Sequence, residues 1–119
     1  ECVLEIIKKG LVNSVHDISS GGLILALVEM SINSGFGAKV NKPKNLIDIH
    51  KYFFGEDQSR YILEIDANNL ENAEKILKNN NIFYENIGIT QKNYFEIPKE
   101  IKMDIKDLFK INNQWYNNY

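Results

Sequence analysis

The 119-residue sequence is short of several features, and each shortage excludes a class of protein. It has one cysteine, Cys2, so it cannot form an internal disulfide, and it lacks the paired cysteines or histidines of a zinc site. No apolar run approaches the roughly 20 residues of a membrane span. A formal charge of -2 leaves no basic excess for nucleic-acid binding. We expect a cytoplasmic protein with no signal peptide, no membrane contact and no nucleic-acid partner.

Arginine is also scarce, because thirteen of the fourteen basic residues are lysine. The single arginine, Arg60, therefore stands out. It favours a position that needs the planar guanidinium, with its five hydrogen-bond donors, over the point charge of lysine. Chance retention of an arginine codon explains the same observation equally well, so both interpretations stay open.

What remains is the composition of an ordinary globular protein, with 44% hydrophobic and 25% charged residues. Its length suits a single domain, residues 1–119, with a polar tail at 112–119 that is expected to fray. Apolar spacing and turn residues predict an opening helix from Val3 with a stop at Gly10, helices at 23–32, 46–52, 69–79 and within 104–119, and strands at 14–18, 36–40, 60–65, 84–90 and 94–97. This order predicts an α+β fold in which helices cover a mixed or antiparallel sheet.

The first candidate site is the segment that runs from His16 to Leu23, with the sequence His-Asp-Ile-Ser-Ser-Gly-Gly-Leu. A strand ends there, Ser19, Gly21 and Gly22 turn the chain, and a helix begins. Free N–H groups at a helix N-terminus suit an anion such as phosphate, and glycine lets a ligand approach the backbone. The same residues also form ordinary caps and turns.

The histidine in this segment invites a general-base interpretation, because Asp17 follows it directly. Adjacent strand residues point to opposite faces, however, so His16 and Asp17 are not expected to bond to each other readily. A structural hydrogen bond is the expected role of His16.

The second candidate site is the segment Phe54-Gly-Glu-Asp-Gln-Ser-Arg-Tyr61, which precedes a predicted buried strand. Glu56 and Asp57 are acids of the kind that bind Mg²⁺ together with a phosphate, and Gln58 and Arg60 lie close by in sequence. A charged loop in which Arg60 pairs with one of the acids is the competing interpretation, and the residues alone favour it.

Taken in order, these two segments, together with the Ala26-Leu-Val-Glu-Met30 stretch between them, resemble the last domain of formylglycinamide ribonucleotide amidotransferase. That enzyme is related to aminoimidazole ribonucleotide synthetase, selenophosphate synthetase, thiamine-monophosphate kinase and a hydrogenase maturation factor. The first segment points to this superfamily, and the Glu56–Tyr61 segment narrows it to the second internal copy of the amidotransferase. The resemblance extends over about residues 1–111.

The resemblance implies a C-terminal piece of a larger multidomain synthase that uses ATP and Mg²⁺ to convert formylglycinamide ribonucleotide and glutamine-derived ammonia to the formylglycinamidine. The implied partners are the other domains of the synthase, a glutaminase and a small accessory subunit. The family's metal ligands, catalytic histidine and most ATP contacts lie in other domains. No catalytic residue, metal or cofactor is therefore expected in this chain alone, which should be inactive by itself.

By the pseudo-symmetry of the family, Glu56, Gln58 and Arg60 would line an auxiliary nucleotide site or a domain interface. Ser19, Gly21 and Gly22 would form the loop nearest a phosphate. One departure is that Ser20 stands where the family usually has aspartate, which weakens the expectation of ligand binding. Two alternatives remain: the equivalent domain of another superfamily member, or a nucleotide-binding module that acts alone.

Overall fold

The computed structural model describes residues 1–45 and 48–117, the last three of these for their backbone only. The elements in chain order are α1 (Cys2–Lys8), β1 (Ser14–Asp17), α2 (Gly22–Ser34), β2 (Gly37–Val40), α3 (Ile49–Phe54), β3 (Tyr61–Glu64), α4 (Ala67–Asn79), β4 (Gly88–Gln91), β5 (Tyr94–Ile97), β6 (Ile101–Asp104) and α5 (Ile105–Asn117). Helices and strands are mixed along the chain, which confirms the predicted α+β class. The chain divides into two compact units, Glu1–Asp17 with Ser59–Asn86, and Ile18–Gln58 with Ile87–Tyr119.

The first unit combines one antiparallel strand pair with two helices. β1 pairs with β3 in a register that sets Ser14 opposite Glu64 and Asp17 opposite Tyr61. Two strands of four residues are marginal without further packing. The packing comes from a buried cluster of one α1 residue and two α4 residues, with partly buried apolar side chains around it: Ile6, Ile76 and Leu77, with Cys2, Leu11, Val12, Leu63 and Tyr84.

The second unit holds a four-stranded mixed sheet in the order β4-β2-β5-β6. β2 is antiparallel to β4 and parallel to β5, and β5 is antiparallel to β6. α2 packs against α3, α5 and β2. The helix predicted at 23–32 is observed as α2, and its buried residues belong to a core drawn from helices and strands alike: Leu23, Ala26, Leu27, Val40, Phe53, Phe95, Ile97 and Ile105.

The structure corrects one boundary and adds one strand in this part of the chain. The strand predicted at 84–90 begins only at Gly88, because Tyr84 packs against the buried cluster of the first unit and does not join the sheet. The strand β6 was not predicted, since four residues between a turn and a helix carry too little periodicity. Its pairing with β5 defines it.

Two other predictions fall partly outside the described residues. The helix predicted at 46–52 is observed as α3 from Ile49, and residues 46–47 lie outside the description. α5 continues through Asn117, while residues 118–119 lie outside it as well, so fraying of the tail stays a prediction. Within the described ranges, no helix combines the length and the apolar character needed to cross a membrane.

Candidate functional site

The loop that precedes α2 turns on two consecutive glycines with left-handed backbone conformations. Gly21 has φ 83° and Gly22 has φ 70°. The Gly22 N–H donates to the carbonyl oxygen of Ser19 at 3.1 Å, which closes the turn. Gly21 is the N-cap residue and has no side chain, so the start of α2 has no capping hydrogen bond from its own N-cap. The first N–H groups of α2 must therefore find acceptors elsewhere.

Gly22 is required by close packing as well as by its φ angle. A Cβ atom at this position would lie 2.6 Å from the carbonyl carbon of Phe54 and 2.7 Å from the carbonyl oxygen of Phe53. Both atoms are backbone at the C-terminal end of α3, so no side-chain rotation relieves the clash. The absent side chain therefore lets α2 start directly against α3.

Glu56 connects the two segments that the sequence singled out. Its Oε1 accepts a hydrogen bond of 2.8 Å from the Gly21 N–H, across 35 positions of sequence. A carboxylate at the N-terminus of a helix is favoured by the partial positive charge of that end. Glu56 thus satisfies the N–H of the N-cap residue itself, which is the role of the glutamate in a capping box. It also occupies the Gly21 N–H that an external phosphate would need.

The remaining candidate residues have different surroundings. Ser19 and Gln58 are exposed, Ser19 in the turn itself and Gln58 two positions after Glu56. Arg60 is half-buried, makes contacts within the structure and belongs to the first unit, just before β3. The structure thus brings Ser19, Gly21, Gly22 and Glu56 together.

Sequence reasoning did not find the part that Phe53 and Phe54 play at this loop. Their backbone forms the wall against which Gly22 packs. The signal that was available is the Gly-Gly pair, because a helix that starts on glycine often packs closely against another backbone. The pair does not reveal which backbone that is.

His16 makes its hydrogen bond to the backbone of Asp17, so the expectation that the two side chains do not readily bond to each other is not contradicted. The ring Nδ1 of His16 lies 2.6 Å from the backbone oxygen of Asp17 and 3.9 Å from its Oδ1. The ring folds back over its own strand and reaches the next carbonyl, a contact that does not require the two side chains to share a face. The predicted structural hydrogen bond of His16 is thereby confirmed.

The described residues contain no group of three or more histidine, cysteine, aspartate or glutamate side chains that could hold a metal ion. Over the same part of the chain, no buried side-chain nitrogen or oxygen lacks a hydrogen-bond partner. At the loop before α2, the Gly21 N–H is bonded to the Glu56 carboxylate and the Gly22 N–H to the backbone oxygen of Ser19.

The family model described as AIR synthase related protein, C-terminal domain, matches residues 1–97. The chain belongs to this family.

Among its relatives, the chain is similar to phosphoribosylformylglycinamidine synthase subunit PurL, as the resemblance in the sequence indicated. It is 41% identical over 119 residues to that subunit of Pelagibacter ubique (strain HTCC1062), covering 100% of this chain and 16% of the relative. It is 32% identical over 114 residues to the subunit of Bartonella bacilliformis, covering 96% of this chain and 15% of the relative. The chain thus spans about a sixth of the length of these relatives.

Solved structures of T. maritima PurL show the same fold. The complex with FGAR has a TM-score of 0.77 at 17% identity, covering 91% of this chain and 20% of that chain. The complex with AMPPCP has a TM-score of 0.78 at 17% identity with the same coverage.

Proposed function

We propose that this chain is the C-terminal domain of a phosphoribosylformylglycinamidine synthase of purine biosynthesis. In that enzyme, formylglycinamide ribonucleotide, ATP and glutamine-derived ammonia become formylglycinamidine ribonucleotide. The observation that carries the proposal is 41% identity to the Pelagibacter subunit along all 119 residues. Solved relatives bound to FGAR and to ATP support the substrate and the cofactor of the whole enzyme.

The domain itself acts in this proposal as a structural, non-catalytic part of the synthase. In this proposal ATP and Mg²⁺ are bound by the other domains, as the resemblance to the amidotransferase implies. Phosphoryl transfer depends on positioned cations and phosphate-binding groups, and these would come from the rest of the enzyme. Its setting is the cytoplasm.

The partners in this proposal are the remaining domains of the synthase, a glutaminase and a small accessory subunit. A solved assembly named PurLQS from T. maritima supports partners of this kind. Glu56, Gln58 and Arg60 would then lie at a domain interface or auxiliary nucleotide site, with Ser19, Gly21 and Gly22 as its loop. Because Glu56 already accepts the Gly21 hydrogen bond, the interface role is the better supported of the two.

A domain exchange tests the proposal. The region of Pelagibacter PurL that matches this chain is replaced by residues 1–119, and ammonia-dependent formation of formylglycinamidine ribonucleotide is measured. Retained activity is expected, since the two sequences match over the whole chain. The enzyme truncated before this region is the negative control. A soluble, folded chimera as inactive as the truncated enzyme would contradict the proposal and favour a different member of the superfamily.

Calorimetry of the isolated chain with ATP, ADP and Mg²⁺ tests whether it acts alone. We expect no binding heat, because the described residues provide no metal site and the Gly21 N–H is already bonded. Saturable binding of ATP by the isolated chain would favour a nucleotide-binding module that acts by itself.

A further inference from the structure

The loop after α4 presents the most exposed large hydrophobic side chain among the described residues. Phe83 is 88% exposed, and its neighbour Ile82 is 45% exposed. Both belong to the first unit. Single exposed apolar residues are common on protein surfaces. The way in which the chain holds this phenylalanine sets it apart.

The backbone before Phe83 is held by the end of α4. Asn81 has φ 54°, its N–H donates to the Lys78 oxygen at 3.0 Å, and the Ile82 N–H donates to the Leu77 oxygen at 2.9 Å. These two bonds and the left-handed residue form a Schellman motif, which ends a helix in a defined conformation. Ile82 is therefore tied to the helix by its backbone, directly before the exposed ring.

The residue after Phe83 is held as well. Tyr84 is half-buried and packs against the cluster of Ile6, Ile76 and Leu77, and the Lys78 ammonium lies 5.9 Å from the centre of its ring. Phe83 thus stands between two anchored neighbours. Because little backbone freedom remains to be lost, a partner that buries this ring has a smaller entropic cost to overcome.

The surroundings of Phe83 indicate the kind of partner. Residues 79–87 contain four asparagines and no lysine or arginine. An aromatic anchor within a polar rim is typical of a protein–protein hot spot, and Glu85 is the one charged residue in this segment. Anionic lipids and single-stranded nucleic acids are both recognised with the help of basic residues, which this segment lacks.

We infer that Phe83 is an anchor that inserts into an apolar pocket on the remainder of the synthase, an inference that rests on the proposed function. The chain covers only 16% of the Pelagibacter relative, so most of that protein lies outside the matched region and can supply the pocket.

Binding in trans tests the anchor. Pelagibacter PurL lacking the region that matches this chain is titrated with fluorescently labelled residues 1–119, as wild type, Phe83→Ala and Ile89→Ala. Ile89 is 65% exposed in the second unit and controls for loss of exposed apolar surface. We expect Phe83→Ala to weaken binding roughly tenfold or more, and Ile89→Ala to leave it unchanged. Equal thermal unfolding of the three chains would show that the fold is intact.

Three results would overturn the anchor: wild-type chain that does not bind, Phe83→Ala that binds as tightly as wild type, or wild-type chain that self-associates through Phe83 in sedimentation. The exchanged-domain enzyme separates this inference from the proposed function. If the chimera is active and Phe83→Ala changes neither its stability nor its activity, the anchor is refuted and the proposed function is not. An inactive chimera with intact Phe83-dependent binding removes the proposed function alone.

Discussion

Glycine is needed at position 22 for two reasons, its left-handed φ angle and the close approach of the α3 backbone, and replacement by alanine tests both. Gly22 has φ 70°, and its missing Cβ would lie 2.6 Å from the carbonyl carbon of Phe54. Gly35, the C-cap of α2, has φ 74° but would meet no atom within 4 Å. The two positions share a backbone conformation and differ in the space around it, so Gly35→Ala is the matched control.

The magnitudes follow from these geometries. A left-handed conformation costs an alanine about 1–2 kcal/mol, which is the whole effect expected at Gly35. At Gly22 the clash with rigid backbone adds about 1–3 kcal/mol, as overpacking does in protein cores. We therefore expect a total loss of about 2–5 kcal/mol for Gly22→Ala. The gain from a stiffer unfolded chain is common to both changes and cancels in their difference.

Urea unfolding followed by circular dichroism measures both free energies of unfolding. The difference between the variants isolates the approach of α3 to the start of α2. If Gly22→Ala is no more destabilising than Gly35→Ala, the result contradicts the close packing of the α3 backbone against the start of α2.

Three further changes test other contacts. Glu56→Ala should lower the free energy of unfolding by about 0.5–2 kcal/mol, because it removes the acceptor of the Gly21 N–H. Glu56→Gln should lower it by less, because glutamine keeps an acceptor oxygen. Gln58→Ala is the control on the same segment, and equal losses of stability at positions 56 and 58 would refute the contact. Asp48→Ala should lower the free energy of unfolding in urea by about 0.5–2 kcal/mol, because Asp48 caps α3. Its carboxylate accepts from the His50 N–H at 2.9 Å and from the Lys51 N–H at 3.2 Å. An unchanged midpoint of unfolding would exclude the cap. Hydrogen bonding to Tyr84, and then to Glu74, raises the pKa of Lys78 above its ordinary value of 10.5. The charged Lys78 therefore stabilises the fold fully below pH 10.5, and this stabilisation is lost as the pH rises through the raised pKa. Wild type should therefore lose stability relative to Lys78→Met in alkaline solution, and parallel pH profiles would contradict this.

Some secondary-structure elements are predictable from the local sequence pattern, and others are defined only by pairing with distant residues. The helices around Leu23 and Ala73 are visible in the sequence because each repeats apolar residues along one face for more than two turns. The four residues of β6 have no such repeat, and they form a strand only because β5 provides hydrogen-bond partners. Tyr84 has the β-propensity of a strand residue, yet its ring packs against α1 and α4, which no local pattern indicates.

The sequence by itself determined the α+β class, the family and the two segments that meet at the loop, because these depend on periodicity, glycine and short motifs read along the chain. Tertiary structure alone decided that the Glu56 carboxylate reaches the Gly21 N–H across 35 positions, and that Gly22 packs against the backbone of Phe53 and Phe54. It also decided that Phe83 projects between two anchored neighbours. Each of these features depends on which groups pack together in space, often across many positions of sequence. A sequence pattern contains no information about such distances.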